Sequence, residues 1–192
     1  MRAGLFGCIV TPKQGNRIPE GVAICADNGA FGKGYPGDYA WWAWLLTLPS
    51  EQCRFAVAPD VPFDAAATLE RSRPWLHRIR GIGIPAAFAA QDGLEHLGVP
   101  WDDFDVLFLG GTTEWKLGRH ARALTREAKA RGKHVHMGRV NSETRLRYAR
   151  HIGCDSADGT YIAHGPDTNL PDVLAWLRAV NHQTSLDFGV PS

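Results

Sequence analysis

Apolar and polar residues follow one another along this chain in blocks rather than one by one. Strand-like runs, most of them continuously apolar, recur near residues 3–10, 22–27, 54–60, 85–91, 105–110, 134–139 and 153–158. Runs of this kind predict strands covered on both faces, as in a parallel sheet. Between them the spacing predicts helices near 38–48, 63–81, 117–131, 142–151 and 171–181. Asp38 and Ser142 are placed to cap the first and fourth, and Gly132 and Gly153 to end the third and fourth. Pro74 predicts either a kink in the second helix or its true start. Repeated strand-then-helix units imply an α/β fold with right-handed crossovers, either an open doubly wound sheet or a small closed barrel. The stretch from Lys13 to Glu20 is too short for a helix, which predicts a hairpin between the first two strands. Trp41, Trp42 and Trp44 cannot all face inward from one helix, so part of that aromatic surface packs on another element or a partner.

The chain of 192 residues fits one domain, 1–192, with 44% hydrophobic and 21% charged residues. No apolar run approaches the roughly 20 residues that cross a bilayer, and the first residues lack a signal-peptide pattern. The four cysteines, Cys8, Cys25, Cys53 and Cys154, form no C-x-x-C pair. That usage fits a reduced, cytoplasmic protein with no structural metal better than a disulfide scaffold. The net charge of +1 hides an asymmetry: residues 116–150 carry eleven of the 21 Lys and Arg residues and only two acids, Glu127 and Glu143. Such a segment suits a localised anionic partner, or simply a solvated helix face.

Polar residues recur where the apolar runs stop. Asp27 follows 22–26, Asp60 ends "FAVAPD", Gln91-Asp92 ends "PAAFAAQD" and Gly110-Gly111 ends "DVLFLGG". Met137-Gly138-Arg139 lies in "HVHMGRV", while Asp155 and Asp158 lie in "GCDSADG". In a parallel α/β protein these positions share the side where ligands bind. A turn or cap is the commoner role for any one acid; recurrence after successive strands favours a shared site.

In this order the motifs resemble the tRNA-guanine transglycosylase superfamily, particularly its compact DNA-modifying branch found in phages and bacterial genomic islands. The resemblance runs from about residue 22 to 165 and implies a small TIM-barrel-like (β/α) barrel with a reduced helix count. "DNGAF" is similar to the family's D-S-G-G-F, which implies a catalytic Asp27 and a base-stacking Phe31. By the same resemblance Asp60 reads the purine edge, Gln91 in "AAQDG" matches the glutamine of V-Q-G-G, and Gly110 and Gly111 let the backbone approach the base. Met137 in "HMG" would cover the base's other face. "GCDSADG" is similar to G-x-D-x-F-D-C and implies Asp158 as the nucleophile. The chain departs from the family at Gly32, where glutamine is usual, and at Pro59-Asp60-Val61, which replaces F-D-E-C. After residue 165 nothing resembles the zinc-binding C-x-C-x-x-C subdomain of the tRNA enzymes.

The chemistry fits these residue types independently. Base exchange at a sugar C1′ passes through an oxocarbenium-like state that one carboxylate can trap while a second handles the base's proton. Guanine's N–H donors suit Asp60, its O6 suits the Gln91 amide and the Gly111 N–H, and its faces suit Phe31 and Met137. Asp155 competes with Asp158 as the nucleophile, because strand alternation turns the two to different faces. His134 and His136 read as packing and anion contacts rather than a metal pair. Arg139, Arg145, Arg147 and Arg150 are placed to contact nucleic-acid phosphates, and Trp115 either packs or fills the gap left by a flipped base. The expectation is therefore a cofactor-free DNA-guanine transglycosylase using a 7-deazaguanine base such as 7-cyano-7-deazaguanine. Its partners would be DNA or tRNA, with a protein partner or homodimer also open. A deazaguanine nucleoside hydrolase and a non-catalytic nucleic-acid-binding subunit are the rival readings.

Overall fold

The computed structural model describes residues 6–15 and 17–186. Its strands are β1 (Cys8–Val10), β2 (Ile24–Ala26), β3 (Cys53–Val57), β4 (Ala86–Ala90), β5 (Val106–Leu109), β6 (His134–Met137) and β7 (Ser156–Ala157). The helices are α1 (Asp38–Leu45), α2 (Ala65–Gly81), α3 (Thr113–Leu117), α4 (Arg119–Ala130), α5 (Glu143–Ile152) and α6 (Pro166–Leu186). Each expected strand is present, although residues 3–5 of the first lie outside the described residues. All seven pair in parallel and in chain order, forming a curled half-barrel with helices packed on its outer face. No ladder joins β1 to β7 among the described residues.

The expected hairpin between the first two strands is absent. β1 and β2 are parallel, with Cys8 opposite Ile24 and Val10 opposite Ala26. Parallel pairing needs a crossover of about a dozen residues, and the stretch 11–23 supplies that with no helix among its described residues. Gln52 pins its far end by donating to the Val22 carbonyl at 2.9 Å and accepting from the Gly21 N–H at 3.2 Å. Local chemistry shifts other boundaries. Gly37 precedes α1 as its N-cap, and Asp38 instead ties α1 to α2 by accepting from Arg71 at 2.9 Å and from the Tyr35 hydroxyl. α2 runs through Pro74 from its true cap, Asp64, whose carboxylate accepts from the Ala67 N–H at 2.9 Å. α6 begins at Pro166, where a missing N–H costs nothing, rather than near Pro171. Ser142 and Gly153 cap α5 as expected, Gly153 at φ 100°.

The two faces of the sheet carry different sizes of side chain. On the helix side, Phe88, Leu107, Leu109, Val135 and Met137 pack with Trp41, Leu45, Leu76, Ile79 and Leu124 into the main core. Trp41 is fully buried there against Trp75, while Trp42 and Trp44 pack at its margin. On the concave side Phe55, Val57, Ala87, Ala89, Val106 and Phe108 form a second, thinner layer. The alanines of β4 are the reason a trough remains. No described helix is long and apolar enough to cross a membrane.

Loss of the α2 cap gives a direct test of this packing. Asp64→Ala should lower stability by about 1 kcal/mol, the usual cost of an N-cap deletion. Urea unfolding should show a lower midpoint with an unchanged m value.

Candidate active site

The concave face holds a trough of about 1520 Å³. Period-two alternation decides what enters it. On β2, Ala26 faces the helices, so Asp27 turns inward; on β6, Val135 and Met137 face the helices, so His136 turns inward. Across the ladder His136 pairs with Ser156 and Met137 with Ala157, which carries Asp158 to the trough as well. Gln91 follows β4 in the same sense. Asp27, Asp60, Gln91 and Asp158 thus reach one trough from the carboxyl ends of β2, β3, β4 and β7.

Asp27 Oδ1 accepts from the Gly29 N–H at 2.6 Å, and Gly29, at φ 81°, makes the turn that brings Phe31 to the mouth. Burial, reinforced by the charges of Asp60 and Asp158, pushes the Asp27 carboxyl up to about 6, against the pull of the Gly29 N–H and His136. Asp60 is buried and held on both oxygens: Asn28 Nδ2 donates to Oδ1 at 2.8 Å and Gln91 Nε2 to Oδ2 at 2.5 Å. Burial raises its proton affinity, and the two amide donors moderate that rise. Gln91 Oε1 accepts from the Phe63 N–H at 3.0 Å, and Asn28 also donates to the Ala58 carbonyl at 2.9 Å. Asn28, Asp60 and Gln91 therefore lock the ends of three strands together. Asp158 Oδ1 lies 3.0 Å from His136 Nε2, and its Oδ2 lies 3.5 Å from the Arg139 N–H.

The mouth is aromatic and strained. Phe31 and Phe63 are 57% and 45% exposed and meet edge to face at 6.0 Å. The Arg139 guanidinium lies over the Phe31 ring at 4.3 Å and donates to the Gly110 and Gly111 carbonyls. Phe63 and Arg139 both adopt left-handed backbone, at φ 70° and 62°. Bulky residues take that conformation at a cost of about 1–3 kcal/mol each, and such outliers concentrate at functional sites. Beneath the β6 loop, Lys116 is buried and donates to the Gly138 carbonyl. Burial, with Arg139 and Arg145 nearby, pushes its ammonium down to about 8 despite the opposing charge of Asp158.

Not every expected site residue takes the place or the role expected of it. Met137 is 1% exposed in the core between sheet and helices, because alternation turns it away from the trough; it cannot cover a base. Gly111 makes room for protein rather than ligand: a Cβ there would sit 2.6 Å from the Trp115 ring and 2.7 Å from Asp92 Oδ2. Gly110 lines the trough and leaves space for the Gln91 amide, which a Cβ would meet at 2.8 Å. Trp115 packs beneath the surface and donates to Glu95 at 2.8 Å, so it is not poised to fill a duplex gap. Arg145 and Arg150 line the trough with Arg139, whereas Arg147 is paired with Glu143 at 2.6 Å one turn back on α5. Asp155 also lines the trough, just before β7, but its carboxylate is taken up by Lys129 at 2.6 Å and by the Val135 N–H at 2.8 Å. Sequence reading overlooked Asn28, which looks like a turn residue beside Gly29. It gave His136 packing and anion contacts but no link to Asp158, although strict alternation on β6 marks it as inward-facing.

A proton held above the ordinary aspartate range has a consequence for stability. Asp27 binds its proton more tightly folded than unfolded, so stability should fall as pH rises from about 4 to 6 and level off above. Asp27→Asn keeps the acceptor for Gly29 without the charge. Denaturant unfolding at pH 8 should show the variant more stable by on the order of 1–3 kcal/mol, with the gain vanishing near pH 3. Equal stability at pH 8 would mean that Asp27 is not desolvated.

No family model matches the chain. No curated protein matches it either. Among solved structures it is similar to Klebsiella pneumoniae BlrP1, in a calcium and cyclic di-GMP complex, at 16% identity and a TM-score of 0.42. The match covers 72% of this chain and spans 37% of that one, and a likeness of that depth carries no argument about function.

Proposed function

We propose that the protein is a DNA-guanine transglycosylase that exchanges guanine for a 7-deazaguanine base through a covalent aspartyl-glycosyl intermediate on a TIM-barrel-like scaffold. The observation that carries this reading is the convergence of Asp27 and Asp158, from strands at opposite sides of the sheet, close enough for one charge to raise the other's proton affinity. Base exchange needs that pairing. Asp158 attacks C1′ as the C1′–N9 bond breaks, and the departing base takes the electron pair and the Asp27 proton. The incoming deazaguanine then returns its N9 proton to Asp27, attacks C1′ and expels the Asp158 carboxylate. Two displacements retain the configuration at C1′.

The mouth supplies the base site. Phe31 offers an exposed ring face, and Asp60, already oriented by Asn28 and Gln91, keeps a lone pair on each oxygen for purine N–H donors. A base stacked on Phe31 takes the place of the Arg139 guanidinium, which then becomes free for a phosphate. Arg145 and Arg150 extend that basic edge along the trough.

Two experiments test the reading. Asp158→Asn should abolish the covalent adduct seen on a denaturing gel with labelled DNA, because an amide cannot form the ester. Asp27→Asn should slow exchange by about 10²–10⁴-fold, and in the wild type adduct formation should fall as pH rises through about 6. Adduct formation by Asp158→Asn at the wild-type rate would remove the mechanism.

The basic edge is tested separately by salt. Arg145→Gln should reduce the salt dependence of DNA binding by about one phosphate contact. Arg147→Gln should leave the slope unchanged, since its guanidinium is spent on Glu143. The same slope in both variants would place the DNA elsewhere.

A further inference from the structure

Four side chains from two strands form an unbroken hydrogen-bonded chain on the concave face. His134 Nε2 lies 2.7 Å from Ser156 Oγ, and the same oxygen lies 2.8 Å from His136 Nδ1. His136 Nε2 in turn lies 3.0 Å from Asp158 Oδ1. The ladder builds this arrangement, since His136 pairs with Ser156 and the alternate residues His134 and Asp158 share its face.

An ionised Asp158 gives the chain a direction that starts at its carboxylate. A carboxylate has no proton to give, so His136 Nε2 donates to Asp158. A ring that carries its one proton on Nε2 has its lone pair at Nδ1, where it accepts the Ser156 hydroxyl proton. The Ser156 oxygen accepts in turn from His134 Nε2–H. One tautomer of each ring satisfies all three contacts at once. His136 is also held in place: it is 2% exposed, stacked on Phe108 at 4.9 Å and set edge to face against Phe55 at 5.1 Å.

We propose that His136 is the positioning residue for Asp158: it binds Oδ1, leaves Oδ2 to attack C1′, and is kept in the required tautomer by Ser156 and His134. The inference rests on the reading of Asp158 as nucleophile. Oδ2 is the freer oxygen, its one hydrogen bond among the described residues being the long contact to the Arg139 N–H. When the ester forms through Oδ2, Oδ1 becomes its carbonyl oxygen and keeps the His136 hydrogen bond. When the ester breaks, the same donor receives the returning carboxylate. His136 neither gains nor loses a proton over the cycle, so the two displacements balance without it.

Imidazole ¹⁵N spectra of the full chain without substrate should show His136 with its proton on Nε2, and Asp158→Ala should release it into a mixture of tautomers. In base exchange on duplex DNA, His136→Phe keeps the packing between Phe55 and Phe108 but removes the donor. It should lower kcat by about 10–100-fold with KM within about twofold. His136→Gln, whose amide nitrogen reaches the Nε2 position, should recover most of kcat. A merely structural role would reverse that order, with Phe tolerated better than Gln. The proposal is overturned by a proton on Nδ1 in the wild type, or by wild-type kcat in His136→Phe. If the wild type neither exchanges bases nor forms an adduct, the transglycosylase reading fails, and the tautomer spectra still decide whether His136 locks Asp158.

Discussion

The parallel pairing of β1 to β7 in strict chain order puts every strand's carboxyl end on one rim, and the polar side chains of the trough all depend on that. Each strand then needs only one inward-facing polar residue at its end to contribute to the site. The concave face stays open because β4 spends alanines there, Ala87 and Ala89, while its one large residue, Phe88, fills the core on the other side. A bulky residue at Ala89, which lines the trough, would fill it from its floor. Fold and site are thus coupled through side-chain size as well as through topology.

Gathering Asp27, Asp60 and Asp158 in one partly dry space is costly, since like charges there repel and each has lost water. Each carboxylate is handled differently. Asp60 is surrounded by amide donors from Asn28 and Gln91, which favour its charge and make it a fixed anchor. Asp27 has one backbone donor and, raised by burial to about 6, holds its proton well above the ordinary aspartate range. Asp158 faces an imidazole on one oxygen and leaves the other nearly free. Three aspartates of one chemistry thereby acquire three behaviours, set by their partners.

The mouth shows the same division of labour in the backbone. Phe63 and Arg139 hold conformations that side-chain-bearing residues avoid, and each is fixed by contacts to the neighbouring strand ends, Phe63 through Gln91 and Arg139 through the Gly110 and Gly111 carbonyls. Their strain brings two aromatic rings and a guanidinium together at the trough's entrance. Phe31, which touches both of the others, would otherwise be an isolated exposed phenylalanine.

Much of this was legible in the chain. Apolar runs, most of them continuous, gave the seven strands and their parallel class, because strands covered on both faces have no polar side to show. Asp27, Asp60, Gln91 and Asp158 stood out as polar residues where those runs stop, and Gly29 and Phe31 as a turn followed by an aromatic. Sequence did not reveal the direction of β1 against β2, because a short irregular crossover looks the same as a long hairpin loop. Nor did it separate Met137 from His136, since the face each takes depends on where its strand begins, or Asp155 from Asp158, since both line the trough and differ in that Lys129 reaches only Asp155. Arg147 and Arg145 likewise differ only in whether Glu143 lies within reach. What the sequence by itself determined was which segments are strands and which residues end them, since both follow from local patterns of burial. Which side chains meet was decided only in the tertiary structure, because sheet register and curvature are set by contacts between residues far apart in the chain.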